Sequence, residues 1–144
     1  MITGFWDASA VVPLLLEEPQ SGPIEKIIRK NPGMALWYGT RVECLSALNR
    51  RQREKSVKPG DGGVARKILV EIFEGAQVIE PVHEIWIRAE RLLETHSLRS
   101  GDALQLAAAL VWCREKPEGR LFICQDQALR EAAGREGFTV LPVR

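Results

Sequence analysis

The chain is 144 residues long, with 20 Lys and Arg against 19 Asp and Glu, a formal net charge of +1 and 45% apolar residues. That size suits one domain over residues 1–144 with a core that needs no staples, and 27% charged residues exclude bulk disorder. Near neutrality excludes a nucleic-acid binder that works through an overall positive field, so any such contact must come from a local patch.

In chain order, Ile2–Trp6 is a short β-prone run ending at Asp7 and reads as a first strand. Ala10–Glu18 carries apolar residues as a buried helix would, and Glu-Glu-Pro-Gln stops it. Pro13 is harmless only in a first turn, so this helix is expected to start late. Ser21–Lys30 has Ile24, Ile27 and Ile28 at helical spacing, Met34–Trp37 is a second strand, and Thr40–Glu54 is a helix with Val42, Leu45 and Leu48 on one side. Ser56–Gly63 reads as a loop, Val64–Phe73 as a helix, and Val78–Ile79 as a third strand. Glu84–Thr95 turns Ile85, Ala89, Leu92 and Leu93 inward, while Ser100–Trp112, almost all Ala and Leu, should be central. Leu121–Cys124, Gln127–Glu136 and Thr139–Leu141 complete the chain as strand, helix and strand. Strands alternating with helices and apolar on both faces predict the α/β class, with a parallel sheet covered on both sides.

The three cysteines, Cys44, Cys113 and Cys124, form no C-x-x-C and lie in apolar contexts, as buried thiols of a reducing cytosol do. His83 and His96 have no Cys at zinc-ligand spacing. The apolar stretch Ala8–Leu16 is interrupted by Ser9 and Pro13, follows no basic segment, and is shorter than the roughly 20 residues a membrane span needs. The expectation is a cytoplasmic protein with no membrane partner.

No G-x-S-x-G, P-loop or G-x-G-x-x-G occurs, and Gly60-Asp61-Gly62-Gly63 follows no predicted strand and reads as a plain loop. With two separated histidines, catalysis falls to acids. Asp7 closes the first strand, Glu43 lies in the first turn after the second, and Asp126 closes the fourth. In a parallel sheet those carboxyl ends share one edge, where ligands bind. Asp102 opens the central helix, and the strand rule does not place it. Each acid also has a local explanation as a cap: Thr40 with Glu43 as a capping box, Ser100 capping the helix of Asp102, Asp126 capping its own helix, and Asp7 or Ser9 the first. Taken together, carboxylates brought close raise one another's pKa unless a cation sits between them. Such a cluster suits Mg2+ or Mn2+, which can lower the pKa of bound water and offset charge on a phosphoryl oxygen. That points to phosphodiester hydrolysis.

Four segments carry a family resemblance: Asp7-Ala-Ser-Ala, Thr40-x-x-Glu43, Leu98-Arg-Ser-Gly-Asp102-Ala-Leu-Gln-Leu-Ala and Phe122-Ile-Cys-Gln-Asp126-Gln-Ala-Leu. In order and spacing they resemble the PIN-domain ribonucleases, and the short chain is similar to the VapC-type toxins of toxin–antitoxin pairs. The resemblance implies a three-layer α/β/α sandwich with a five-stranded parallel sheet and a Mg2+- or Mn2+-dependent endoribonuclease site. It implies Asp7, Glu43 and Asp102 as principal metal ligands or their immediate supports, and Asp126 as a fourth acid. Ser9 would orient a water or a carboxylate. It further implies an RNA substrate and a cognate antitoxin, and a homodimer is expected from the apolar surplus of the first two helices. Two positions depart from the pattern: Cys124 stands where Thr or Ser is frequent, and Gln105 replaces a frequent His. A module of this fold that binds RNA or protein without cutting is the alternative.

RNA must also be held. Arg50, Arg51, Arg53, Lys55 and Lys58 face the single acid Glu54 within residues 49–58, either as a solvated helix end or as a phosphate-contacting patch. Arg41 and Arg99, beside site acids in sequence, are further phosphate partners. Trp6, Trp37, Trp86 and Trp112 are expected in the core. Surplus apolar residues of the first two helices, Leu14 to Leu16 with Ile24, Ile27 and Ile28, would suit a dimer or antitoxin groove. Residues 1–24 carry three acids and no base, so the net charge of +1 averages an acidic pocket with a basic rim.

Overall fold

The computed structural model describes residues 3–144, so Ile2 of the expected first strand lies outside the described residues. The elements are β1 Thr3–Trp6, α1 Ala8–Leu15, α2 Ser21–Lys30, β2 Gly33–Trp37, α3 Thr40–Arg53 and α4 Asp61–Gly75. They continue as β3 Gln77–Ile79, α5 His83–Thr95, α6 Ser100–Trp112, β4 Leu121–Ile123, α7 Gln127–Glu136 and β5 Thr139–Leu141. The five strands form one sheet in the order β3-β2-β1-β4-β5, and every pairing is parallel. Central β1 pairs Gly4 with Met34 and Leu121, and Phe5 with Ala35 and Phe122.

Alternation along the strands sends side chains to opposite faces, and each face carries its own core. Phe5, Trp37 and Phe122 pack with α5, α6 and α7, while Trp6, Leu36 and Ile123 pack with α1, α3, α4 and Ile24 of α2. Phe5 stacks on Phe122 with centroids 5.6 Å apart, and Phe122 meets Phe138 at 5.4 Å. Helix α6 is the central helix that its composition predicts: Ala103 and Leu106 through Leu110 are all buried. Each fully buried Leu or Phe contributes about 1.5–3 kcal/mol, so these two cores set the sheet edge rigidly beneath the site.

Three expectations change. Helix α1 begins at Ala8 rather than late, and Pro13 lies inside it. The helix has eight residues, so Pro13 falls near its end. There Ser21 Oγ donates to the carbonyls of Pro13 and Leu16 at 2.7 and 3.1 Å and receives the Glu18 N–H at 2.9 Å. The Gly60-Asp61-Gly62-Gly63 segment opens α4 instead of looping freely: Gly60 turns the chain at φ 92°, open to glycine, and Asp61 sits in the positive first turn. The apolar surplus expected on the first two helices is mostly used by the fold. Leu15 and Ile24 are buried, and Leu14, Leu16, Ile27 and Ile28 are half-buried against the core. Among the described residues, the large apolar side chains left exposed lie elsewhere, on Tyr38, Val42, Val64, Val70, Val82, Trp86, Ile87 and Val143, and on Leu93, which faces solvent rather than inward as its spacing predicts.

Candidate metal centre

The carboxyl ends of β1, β2 and β4 open at one edge of the sheet. Chain order reverses there, with β2 on one side of β1 and β4 on the other, which is where open α/β sheets form their ligand crevice. Asp7 ends β1, its N–H bonded to the Ile123 carbonyl at 3.0 Å. Its carboxylate caps α1 through the Ser9 N–H at 3.2 Å and also accepts the Ser9 hydroxyl. The Cys124 thiol donates to the same oxygen, Oδ2, at 3.5 Å. Ser9 Oγ in turn receives the Gln125 N–H at 2.8 Å, so one hydroxyl ties the β1 and β4 corners together. Asp7 is 4% exposed. Burial pushes its carboxyl upward, opposed by the hydrogen bonds of Ser9 and Cys124.

Glu43 is not in a capping box. Gly39, without a side-chain cap, precedes the first helical residue, Thr40. Glycine is required there, because a Cβ would stand 2.5 Å from the Trp37 indole nitrogen. Thr40 Oγ1 and Glu43 Oε1 are instead joined by Gln105 Nε2 of α6, at 2.8 and 3.0 Å. Gln105 and Thr40 are fully buried, and the Gln105 side-chain oxygen has no hydrogen-bond partner among the described residues. Burial, then the charges of Asp7 and Asp102, raise Glu43 to about 7, against the lowering effect of the Gln105 amide.

Asp102 reaches the cluster from the first turn of α6, which Arg99 rather than Ser100 precedes as the cap position, with no side-chain cap bond. Burial raises it, followed by the charges of Asp126 and Asp7. Asp126 is exposed and does cap α7, accepting the Leu129 N–H at 3.0 Å. Arg130 steadies this corner by donating to the Cys124 carbonyl at 2.7 Å. Asp7, Glu43 and Asp102 are thus in electrostatic reach of one another, and Asp126 of Asp102, the acid the strand rule left unplaced.

Among the described residues, no three His, Cys, Asp or Glu side chains stand ready-made around a common metal position. The donor set fits a hard cation that keeps most of its waters: oxygen ligands only, and no Lys, Arg or His in an ion pair with Asp7, Glu43 or Asp102 among the described residues. A dry, fully protein-ligated cage does not fit.

The basic residues separate. Arg50 and Arg51 line a cavity with Ser9, Glu43 and Asp126, and Arg51 is ion-paired to Glu18 there. Arg99 lines a second cavity with Asp102 and Asp126. Arg53 and Lys55 are exposed at the far end of α3, outside both, and Arg41 lines an apolar groove with Tyr38, Val42 and Phe73. Of the tryptophans, Trp6 and Trp37 are core, Trp112 is half-buried under the Arg120 guanidinium, but Trp86 is 46% exposed on α5 with its ring tilted against Trp37.

Chain and site now meet known proteins. The PIN domain family model matches residues 5–134, and the chain belongs to that family. Its fold is similar to PAE2754 from Pyrobaculum aerophilum, at 21% identity and a TM-score of 0.63, covering 97% of this chain and 90% of that one. It is also similar to FitAcB from Neisseria gonorrhoeae, at 11% identity and a TM-score of 0.65, covering 99% and 97%. A toxin–antitoxin complex from Klebsiella pneumoniae matches at 14% and a TM-score of 0.61, covering 85% and 86%. Stretches of 55 and 73 residues are 44% and 34% identical to ribosomal protein L11 methyltransferases of Bacillus cytotoxicus and Bacillus cereus. This chain spans only 17% and 21% of those enzymes. Among the described residues, no helix is long and apolar enough to cross a membrane.

Three contributors at the site were not read from sequence in these roles. Gln105 holds Glu43, the Cys124 thiol reaches Asp7, and Glu18 pairs with Arg51. The signal for Gln105 was present: a lone amide in a helix of Ala and Leu must find a buried partner.

Proposed function

We propose that residues 1–144 act as one PIN-like domain, a divalent-metal-dependent endoribonuclease that hydrolyses RNA phosphodiester bonds in the cytoplasm as the toxin of a toxin–antitoxin pair. The observation that carries the reading is the convergence of Asp7, Glu43 and Asp102 with no ion pair to them among the described residues, each raised in pKa by burial, and Glu43 and Asp102 further by neighbouring carboxylates. As bare structure this is costly; around Mg2+ or Mn2+ the same repulsion becomes binding. When bound, the cation supplies an activated water and offsets charge on the phosphoryl oxygen. Asp7, Asp102 and Glu43 would hold it directly or through water, with Asp126 at the rim. Ser9 holds the Asp7 carboxylate to one orientation, and the Gln105 amide occupies one Glu43 oxygen, leaving Oε2 for the cation or its water. Arg50, Arg51 and Arg99 share cavities with the acids and suit phosphate contact; Arg41, Arg53 and Lys55 line neither cavity.

The toxin reading draws on the fold shared with the toxin–antitoxin complex from Klebsiella pneumoniae. The exposed apolar side chains of Tyr38, Val42 and Val70, which line one groove, support a protein partner there, a cognate antitoxin or a second copy in a homodimer. The test compares wild type with Asp7→Asn on mixed RNAs in Mg2+ or Mn2+ and in EDTA. Cleavage only by wild type with metal supports the nuclease. Equal cleavage in all arms, or none in any, sinks it and leaves a module that binds without cutting.

A further inference from the structure

Two arginines reach the β4–α7 corner from different elements. Arg130, on α7, donates from Nη1 to the Cys124 carbonyl at 2.7 Å and from Nη2 to the Pro142 carbonyl at 2.6 Å. Arg144, beyond β5, donates from Nη2 to the Gln125 carbonyl at 3.2 Å and to Gln125 Oε1 at 2.6 Å, and from Nη1 to Gln127 Oε1 at 3.4 Å. The two guanidiniums thus serve neighbouring residues, Cys124 and Gln125, and every oxygen they meet is neutral. Among the described residues neither has an ion pair. The acids nearest in sequence are turned to other donors: Asp126 accepts the Leu129 N–H at 3.0 Å, and Glu131 accepts from Gln127 Nε2 at 3.0 Å. We propose that Arg130 and Arg144 form an oxyanion site on this corner, outside the acidic crevice, for a phosphoryl group: inorganic phosphate or the terminal phosphate of an RNA strand.

Three observations support it. The first is charge. Two cations held at one corner with only neutral partners repel each other, and an anion between them turns that repulsion into binding. Burial, then the charge of Arg144, lowers Arg130 from its ordinary value, which is the direction an uncompensated pair produces. The second is donor capacity. A guanidinium carries five N–H groups; Arg130 uses two of them and Arg144 three, so three and two remain for a ligand. A tetrahedral phosphoryl group takes such forks bidentately, where a halide ion cannot. The third is preparation with access. The carbonyl bonds already fix both side chains, so little freedom is lost on binding, while Arg130 is half-buried and Arg144 is exposed to arriving solute. Neither arginine lines a cavity beside the metal-site acids, so the site stands independently of the nuclease reading.

The experiment follows the arginine Nε–H signals of 15N-labelled protein by NMR in EDTA while inorganic phosphate replaces KCl at constant ionic strength. Arg144→Gln, Arg144→Lys, Arg130→Lys, Arg135→Ala and the Arg50→Ala/Arg99→Ala double variant are compared, Arg135 being exposed at the opposite end of α7. The expected result is a saturable shift of two signals, assigned to Arg130 and Arg144 by their loss in the variants at those positions. Affinity for phosphate should fall about tenfold in Arg144→Gln, the lower end for a charge-assisted hydrogen bond, and recover in part in Arg144→Lys. It should be unchanged in Arg135→Ala and in the double variant. No saturable shift at the two arginines, an undiminished affinity in Arg144→Gln, or a loss in the double variant as large as in Arg144→Gln overturns the site. A second arm titrates one RNA strand with and without a 5′-phosphate. Tighter binding of the phosphorylated strand by wild type but not by Arg144→Gln assigns the site to an RNA end; equal binding of both strands, with inorganic phosphate still saturating, assigns it to free phosphate.

Discussion

The β1–α1 and β4–α7 corners use one local device for different ends. In both, a strand closes on an aspartate whose side chain caps the helix that follows. At Asp7 the neighbours close over it: Ser9 and Cys124 donate to its carboxylate and only 4% of the residue is exposed. At Asp126 they do not, and the exposed carboxylate is held by the Leu129 N–H alone. A capping motif therefore says little about function until burial is known. The same oxygen atoms are a rigid, desolvated donor in one corner and a helix end in the other.

The largest expected effect separates these two. Asp7→Asn should lower metal-dependent RNA cleavage by about 10²–10³-fold or more, against about tenfold for Asp126→Asn. Equal losses in single-turnover assays would erase the distinction. Gln105→Leu comes next. Loss of a partner that orients a ligand typically lowers metal affinity or activity by about 10–100-fold, so Mn2+ titration should weaken by that order, with Gln105→His restoring part of it.

A pH effect follows. Glu43 is raised from 4.5 to about 7, so the native state binds more protons than the unfolded one between those values. Stability without metal is then greatest at the acid end and falls as pH rises through about 7, and Asp7 and Asp102, also raised, add in the same sense. In EDTA, Tm should drop between pH 5.5 and pH 8 by about a few degrees, and Glu43→Gln should flatten that dependence. Mn2+ must displace the same protons, so its apparent affinity should rise with pH across this range. A Tm that climbs toward pH 8 in EDTA contradicts the assignment. The smallest effect is expected at Cys124→Ser. A hydroxyl can replace the thiol as a donor to Asp7, so cleavage should stay within about threefold, at a stability cost below about 1.5 kcal/mol.

Element order, class and the shared edge of Asp7, Glu43 and Asp126 were legible in the sequence because they depend on periodicity and on a topological rule. Asp102 was not placed by that rule, since it follows a helix, and only the packing of α6 against the sheet brings it in. The Thr40–Glu43 pair shows why local patterns mislead. The spacing fits a capping box, but Gln105, 65 residues away from Thr40, competes for the same oxygens and wins because it is buried with them. Trp86 was misread for a related reason: its helical position says core, yet α5 turns it to the outer side of Trp37.

Both margins of the sheet are closed by strands of only three residues, Gln77–Ile79 and Thr139–Leu141. Such stubs give another chain almost no unpaired backbone to extend. Any association of this molecule would then run through side-chain faces rather than through added strands. Edges this short offer little template for one copy to add to the next in a fibrous ladder.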